Sequence, residues 1–231
     1  MADPLAVSVI IPTLDEADGI AGTLASVQAQ TGWELIIADG GSTDGTPDVV
    51  RAAAPTATLI AAPRGRAAQM NAGAAAATGD ALLFLHADTL LPAGALDAVR
   101  EALGDAVGGC FETRFDAASG WMRLWQARLW MRWHRFAFGD RALFARREAF
   151  EAVGGFPDQP LFEDLDLVRA LRRRGPFAFL DLAVTTSARR YRRYGALRQQ
   201  LRNAALWTGW LAGVAPERLA RFYPHAAARR G

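Results

Sequence analysis

The segment VSVIIPTLDE, residues 7–16, indicates the fold class of this 231-residue chain. Its first part, Val7–Ile11, is a run of mostly β-branched side chains that ends at Pro12. A short run of this kind, without polar alternation, is typical of a strand buried on both faces of a parallel sheet. Asp15 and Glu16 follow directly. Side chains just past the end of such a strand lie where α/β proteins bind their ligands.

The pattern of a short apolar strand followed by a helix repeats across the first hundred residues. Further strands are predicted at Glu34–Ala38, Thr58–Ala61 and Ala81–Leu85, and helices at Ala17–Gln30 and Ala67–Ala77. Alternation at such short intervals predicts an α/β fold, with a mainly parallel sheet and helices on both of its faces.

Acidic residues follow three of the predicted strands, at Asp15–Glu16, Asp39–Asp44 and Asp88. Because the carboxyl ends of parallel strands share one edge, these acids are expected to meet there. Such an aspartate binds a metal, holds a ribose or base, or caps the next helix. Three acid-bearing segments along one edge favour a ligand site. There, a carboxylate-bound Mg²⁺ or Mn²⁺ would neutralise the charge of a nucleotide diphosphate. The glycine-rich motif of dinucleotide-binding proteins does not follow the first strand.

Charge is unevenly distributed, although the net charge is only +2. Residues 1–167 hold 12 Arg and 22 acids, whereas residues 168–231 hold 14 Arg and 2 acids. A basic C-terminal part implies an anionic neighbour, namely a phosphate, a membrane surface, a nucleic acid or the acidic N-terminal part itself. A nucleic-acid partner is not expected, because no nucleic-acid-binding motif accompanies the arginines.

Cysteine content and hydropathy predict a cytoplasmic location. Cys110 is the single cysteine, so no intramolecular disulfide can form, and its apolar neighbours suggest a core position. The N-terminus does not resemble a signal peptide, and no segment reaches the ~18 apolar residues that span a bilayer. Peripheral contact with the inner face of the membrane stays open as an alternative.

Two later segments predict helices whose partners stay open. Gly120–Phe138 is rich in Trp and Arg, which suits packing on the sheet, a lid over the acceptor or contact with a membrane. Leu197–Leu211 is largely apolar and fits the same surface or a homodimer contact. Between these helices, Arg189 and three further arginines up to Arg193 fit a phosphate clamp or a solvated loop equally well.

Four motifs, in this order, resemble the inverting family 2 glycosyltransferases with the GT-A fold. The motifs are VIIPTLDE (9–16), DGGSTDG (39–45), the run from NAG (71–73) through GD (79–80) to LFLHAD (83–88), and FEDLDL (162–167). The likeness covers residues 7–175. It implies transfer of a sugar from a nucleotide-sugar donor, expected to be UDP-linked, to a small-molecule or lipid-linked acceptor. Mg²⁺ or Mn²⁺ is the implied cofactor.

The resemblance also implies roles for individual residues. Asp164 would be the general base that deprotonates the acceptor, with Glu163 beside it in the acidic motif. Asp88 would bind the metal and the diphosphate. The first carboxylate of the family's metal-binding motif is replaced here by His86. This histidine is either a ligand of the metal or phosphate, or a spacer in the wall of the active site. The positions expected to contact the nucleotide are Pro12, Thr13, Asp15, Glu16, Asp39, Gly40, Arg66, Asn71, His86, Ala87 and Asp88.

A narrower likeness joins the motif around His86 to Gly139–Asp140 and to residues 185–190. These segments resemble a bacterial subgroup that is associated by name with arsenosugar biosynthesis. The resemblance does not identify an acceptor.

The predicted architecture is one domain with an appendage. Residues 1–180 would form the GT-A-like nucleotide-sugar-binding and catalytic domain, and residues 181–231 a basic, mostly helical appendage of the same domain.

Two other functions stay open. A nucleotidyltransferase also places acids and a metal on an α/β sheet, but it usually has an early glycine-rich loop that is absent between Pro12 and Asp18. The second alternative function is that of a degenerate nucleotide-binding module without catalysis.

Overall fold

A computed structural model describes residues 5–116, 141–189 and 195–222. The predicted Gly120–Phe138 helix, Arg190, Arg192 and Arg193 lie outside the described residues. The first elements, in chain order, are β1 (Val7–Thr13), α1 (Ile20–Gln28), β2 (Trp33–Asp39), α2 (Thr46–Ala53), β3 (Thr58–Ala61), α3 (Arg66–Ala76), β4 (Ala81–Phe84), β5 (Thr89–Leu90) and α4 (Ala95–Asp105). The later ones are β6 (Gly108–Phe115), β7 (Leu143–Arg146), α5 (Arg147–Ala152), α6 (Glu163–Arg172), β8 (Phe177–Thr186), α7 (Ala196–Leu211) and α8 (Pro216–Ala220).

The described strands form one sheet in the order β3-β2-β1-β4-β7-β6-β8-β5. β1 pairs in parallel with both β2 and β4, and β2 pairs in parallel with β3. β7 runs antiparallel to β4 and β6, after which β8 is parallel to β6 and antiparallel to β5. The predicted mainly parallel α/β sheet is therefore confirmed.

The two faces of β1 enter two different cores, which explains its lack of polar alternation. Val9 and Ile11 pack in one core with α1, α2 and α4, whereas Ile10 packs in the other with α3, α5 and α6. Helices thus cover both faces of the sheet, as predicted. Cys110 is fully buried in the second core.

Close packing of α3 on β1 depends on Gly73. A Cβ atom at this position would lie 2.4 Å from Cγ2 of Ile10, so only glycine allows the helix to approach this closely. Arg66 and Gln69 lie on the same helix, so this approach also sets the position of their side chains relative to the sheet edge.

The structure differs from the sequence prediction at the start of α1. The helix begins at Ile20 rather than at Ala17. Asp15 adopts a left-handed backbone conformation (φ 54°), and the carbonyl of Glu16 accepts the N–H groups of Gly19 and Ile20. A turn therefore separates β1 from the helix and leaves the acidic residues in a loop.

The second half of the sheet is not predicted by the sequence pattern. β6 contains Glu112 and Arg114, and its register to β8 shifts between Cys110 and Glu112, which breaks a simple alternation. β8 crosses residue 180, the predicted boundary of the appendage. Its pairing with β5 and β6 joins residues 181–186 to the main sheet.

The C-terminal helices pack beside the start of α6. Leu206 and Trp210 of α7 share a small apolar cluster with Leu165. The ring of Trp210 lies 5.5 Å from that of Phe162, and the Arg169 guanidinium lies 3.6 Å from the centre of the Trp210 ring. Within the described ranges, no helix combines the length and the hydropathy needed to cross a bilayer.

Candidate active site

The loops that follow β1 and β2 are joined by hydrogen bonds. The Asp15 N–H donates to Ser42 Oγ (2.9 Å), and Asp15 Oδ1 accepts the N–H of Thr43 (2.8 Å). The Glu16 N–H donates to Thr46 Oγ1 (2.9 Å). These bonds hold the two predicted nucleotide-binding loops together as one wall at the carboxyl edge of the sheet.

Asp39, the last residue of β2, organises the loop after it. Its Oδ1 accepts the hydroxyls of Thr13 (2.9 Å) and Ser42 (2.6 Å), and its Oδ2 accepts the N–H groups of Gly41 (3.1 Å) and Ser42 (2.9 Å). Burial alone would raise the pKa of Asp39, but these hydrogen bonds outweigh it and lower the pKa below its ordinary value. Its contact with the nucleotide stays a prediction.

A buried glutamine, which the sequence pattern does not single out, holds the same edge. Gln69 Nε2 donates to the carbonyls of Thr13 (2.6 Å) and Ala38 (2.9 Å) at the ends of β1 and β2. Gly40 packs against this amide, because a Cβ atom there would lie 3.0 Å from Gln69 Cδ. The available signal is a lone polar side chain on the otherwise apolar, buried face of α3.

The segment after β4 carries His86, Ala87 and Asp88. Ala87 is buried, and its carbonyl accepts the Thr23 hydroxyl (2.8 Å), which fixes the segment against α1. The carbonyl of Asp88 accepts the N–H of Ser187 (3.1 Å), which comes just after β8. Asp88 therefore lies where the parallel part of the sheet meets β8.

Arg189 places a cation among the acids of this edge. Its Nη2 lies 2.8 Å from Oε2 of Glu16 and 3.7 Å from Oδ2 of Asp88. The hydrogen bond to Glu16 raises the pKa of Arg189, and the charges of Glu16 and Asp88 add to this effect although partial burial opposes it. Carboxylates from the loops after β1 and β4 thus share one guanidinium.

Glu163 and Asp164 begin α6, where acidic side chains are favoured by the helix dipole. Glu163 is only 2% exposed, and its Oε1 accepts a hydrogen bond from Arg66 Nε. Arg66 Nη2 lies 4.0 Å from Oδ2 of Asp164. Oε2 of Glu163 is buried and has no hydrogen-bond partner among the described residues.

Asp164 lines a water-sized, mainly apolar cavity between α3, α6 and the end of β4. The residues that line this cavity are Arg66, Met70, Phe84, Leu85, His86, Leu143, Phe156 and Asp164. The structure therefore brings Asp164 together with Arg66 and His86, which lie about 80 to 100 residues earlier in the sequence.

Asn71 has a structural role that the sequence does not indicate. Its Nδ2 donates to the carbonyl of Phe156 (2.8 Å), and its Oδ1 accepts the N–H of the same residue (2.9 Å). Both ends of the amide thus join α3 to the segment before α6. Its predicted contact with the nucleotide stays a prediction.

The carboxylates of Glu16 and Asp88, here called the acid edge, fit a divalent cation that takes some of its ligands from another molecule. Among the described residues, no group of three or more His, Cys, Asp or Glu side chains is placed to hold a metal. Asp88 and Glu16 nevertheless already share one positive charge, that of Arg189. Carboxylate oxygens suit Mg²⁺ and Mn²⁺, and such ions are commonly held by one or two carboxylates together with substrate phosphates.

Two solved structures with similar folds contain nucleotide sugars. A mannosyltransferase from Pyrobaculum calidifontis, in complex with GDP-Man and Mn²⁺, is similar over 99% of this chain and 74% of its own, with a TM-score of 0.73 and 23% identity. S. aureus TarS (residues 1–349), in complex with UDP-GlcNAc, is similar over 79% of this chain and 58% of its own, with a TM-score of 0.65 and 18% identity. The fold is therefore of the GT-A type.

The sequence profile of Glycosyl transferase family 2 matches residues 8–156, and the chain belongs to this family. A PGL/p-HBAD biosynthesis glycosyltransferase of Mycobacterium bovis is 43% identical over 98 residues, which is 39% of this chain and 38% of the relative. An uncharacterized glycosyltransferase of Nostoc is 38% identical over 89 residues, 36% of this chain and 28% of its own. The chain thus spans less than two fifths of the length of these relatives.

Proposed function

We propose that the chain is an inverting glycosyltransferase that uses a nucleotide-sugar donor and Asp164 as its general base. The observation that carries this proposal is the position of Asp164. Its carboxylate is almost fully buried, it lines a small cavity together with Arg66 and His86, and it lies on a different element from the acid edge at Glu16 and Asp88. A base and a diphosphate site on separate elements suit displacement from opposite sides of a sugar.

The reaction is a single displacement at the anomeric carbon. Asp164 accepts the proton of an acceptor hydroxyl, whose oxygen forms a bond to that carbon. The bond from the carbon to the diphosphate oxygen breaks, and its electron pair leaves with the diphosphate. One displacement inverts the configuration of the anomeric carbon.

The proposed donor site is the wall formed by the loops after β1, β2 and β4. Asp88 would hold Mg²⁺ or Mn²⁺, which supplies positive charge to the departing diphosphate. The residues proposed to contact the nucleotide are Pro12, Thr13, Asp15, Glu16, Asp39, Gly40, Arg66, Asn71, His86, Ala87 and Asp88. The hydrogen bonds between these loops support this role, because a site held rigid before binding loses less conformational entropy when it binds.

The donor is proposed to carry UDP, and the acceptor to be a small molecule or a lipid-linked one. The structural neighbours contain UDP-GlcNAc in one case and GDP-Man with Mn²⁺ in the other. Both are nucleoside diphosphate sugars, which supports the donor class and makes GDP the nucleotide to test beside UDP.

We further propose that the exposed C-terminal apolar face contacts an anionic membrane surface. We use this name for the exposed apolar side chains on and around α7 and α8, namely Leu201, Leu211, Val214 and Phe222. Exposed arginines accompany it, namely Arg198, Arg218 and Arg221. Apolar side chains flanked by arginine suit the interface of an anionic bilayer. α7 packs beside the start of α6 through Trp210, so a lipid-linked acceptor bound next to α7 would lie near the helix that carries Asp164.

The test of the catalytic proposal compares Asp164→Asn with Asp166→Asn. Asp166 lies on the same helix but bonds to Gln159 and Arg169, so its substitution is the matched control. We expect Asp164→Asn to lower the turnover of the donor by about 10²–10⁴-fold while nucleotide affinity is retained, and Asp166→Asn to change turnover little. Equal turnover in the two variants, or a product that retains the anomeric configuration, would contradict the proposal.

A further inference from the structure

Two carboxylates of the acid edge are bridged by a cation that belongs to the chain itself. Arg189 Nη2 contacts Glu16 Oε2 at 2.8 Å and Asp88 Oδ2 at 3.7 Å. Glu16 follows β1, Asp88 follows β4 and Arg189 follows β8, so the contact joins three parts of the sheet edge.

The backbone around Arg189 is tied to the segment that carries Asp88. The Ser187 N–H donates to the Asp88 carbonyl (3.1 Å), and the hydroxyls of Thr89 and Thr186 lie 3.0 Å apart in a buried hydrogen bond. The Ala188 N–H donates to Asp116 Oδ1 (2.9 Å). Because the backbone is fixed up to this point, only the side chain of Arg189 needs to move for its charge to leave Asp88.

We propose that Arg189 occupies the cation position between Glu16 and Asp88 in the ligand-free protein, and that it transfers to the donor diphosphate when the divalent cation binds there. The proposal rests on the proposed function, because it takes the diphosphate site to be at Asp88. It makes Arg189 a donor-binding residue that couples binding of the metal to binding of the nucleotide.

The coupling follows from charge alone. A divalent cation that approaches Asp88 without nucleotide meets a guanidinium already paired with the same carboxylate, and must displace it. Arg189 is already half-exposed, and displacement leaves it with one acid fewer beside it. A diphosphate offers this guanidinium a bidentate partner, so the cation and the nucleotide favour each other's binding. Thermodynamic linkage requires the coupling factor to be the same from either side.

The test measures the affinity for Mn²⁺ alone, from the spin-resonance signal of free Mn²⁺, in the wild type and in Arg189→Gln. Arg189→Lys keeps the competing charge, and Arg51→Gln removes the same charge from an exposed pair with Asp48 on α2. We expect Arg189→Gln to bind Mn²⁺ up to about fivefold more tightly than the wild type, the scale of an exposed ion pair. We expect the Lys and Arg51 variants to stay close to the wild type.

The nucleotide arm repeats the titration of UDP and GDP with and without Mn²⁺. We expect Arg189→Gln to reduce the enhancement of nucleotide affinity by Mn²⁺. A gain in metal affinity is the decisive result, because damage to the fold would produce a loss instead. Unchanged or weaker Mn²⁺ binding in Arg189→Gln, or no Mn²⁺ binding in any variant, would overturn the proposal. Tighter Mn²⁺ binding in a protein that binds no nucleotide would refute the proposed function while leaving the displaced-cation position intact.

Discussion

Arg66 and Glu163, which lie 97 residues apart in the chain, form an ion pair between the first residues of α3 and α6. The same guanidinium reaches within 4.0 Å of Asp164. One arginine therefore connects the helix that packs on β1 to the helix that carries the proposed base. This contact couples the stability of α6 to the geometry of the site.

Removal of Glu163 should destabilise the protein, because it removes the buried carboxylate that accepts a hydrogen bond from Arg66 Nε. Breaking a buried pair typically costs about 3–5 kcal/mol, and the partial exposure of Arg66 reduces the expected loss for Glu163→Ala to about 2 kcal/mol. Urea unfolding measures this change. The control is Asp48→Ala, which breaks the exposed pair with Arg51 and should change the free energy of unfolding by less than about 0.5 kcal/mol. Equal losses in both variants would refute a structural role for the buried pair.

Substitution of Gly73 should separate α3 from β1. A Cβ atom at this position meets the Ile10 side chain at 2.4 Å, so Gly73→Ala should cost about 1–3 kcal/mol and should also weaken nucleotide binding through the shift of Gln69. Gly104→Ala is the matched control, because Gly104 lies in α4 with open space around it. It should be neutral or stabilise by up to about 1 kcal/mol. Thermal melts of both variants measure the difference, and a neutral Gly73→Ala would disprove the close approach.

We predict that the Asp39 carboxylate, through the hydrogen bonds that it accepts, makes the free energy of unfolding sensitive to acid. Its folded pKa is lower than its ordinary value of 3.8, so the carboxylate stabilises the fold fully above pH 3.8. As the pH falls below 3.8, Asp39 is protonated first in the unfolded chain. Its contribution to the free energy of unfolding is then lost progressively, until the pH has passed the lower pKa that Asp39 has in the folded state. The free energy of unfolding should therefore fall less steeply with acid in Asp39→Asn than in the wild type. Parallel pH profiles of the two proteins would contradict this assignment.

The C-terminal apolar face predicts binding to anionic vesicles. The wild type should sediment with vesicles that contain phosphatidylglycerol and less with pure phosphatidylcholine, and the double variant Leu201→Glu/Leu211→Glu should lose this binding. The control is Leu90→Glu, which changes an exposed leucine of β5. Absence of the wild type from both pellets would refute membrane contact. Sedimentation velocity without lipid tests the alternative, in which a second copy of the chain covers this face as a homodimer.

The first half of the fold is predictable because its strands are locally encoded. Val9, Ile10 and Ile11 are buried on both faces of β1, so the apolar run alone predicts a central parallel strand. The position of the acids that follow β1 can be predicted from the rule that the carboxyl ends of parallel strands share one edge. Their convergence at Glu16 and Asp88 follows from topology rather than from side-chain detail.

The second half depends on contacts between residues that lie far apart in sequence. β8 is hard to predict because Asp181 interrupts its apolar pattern and its partners are the distant strands β5 and β6. Arg189 fits a solvated loop as well as a phosphate clamp until its contact with Glu16, 173 residues away, is known. Gln69 is similar, because no local pattern shows that it bonds to the ends of two strands.

The central claim is that the acid edge binds the diphosphate of a nucleotide through Asp88 and a divalent cation. The most direct measurement is calorimetric titration of UDP, GDP and dTDP, each with and without Mn²⁺, into the wild type and Asp88→Ala. Asp97→Ala on α4 is the control for loss of an acid. We predict Mn²⁺-dependent binding of UDP that weakens by about tenfold or more in Asp88→Ala only. No binding of any nucleotide to the wild type, with or without Mn²⁺, would contradict it.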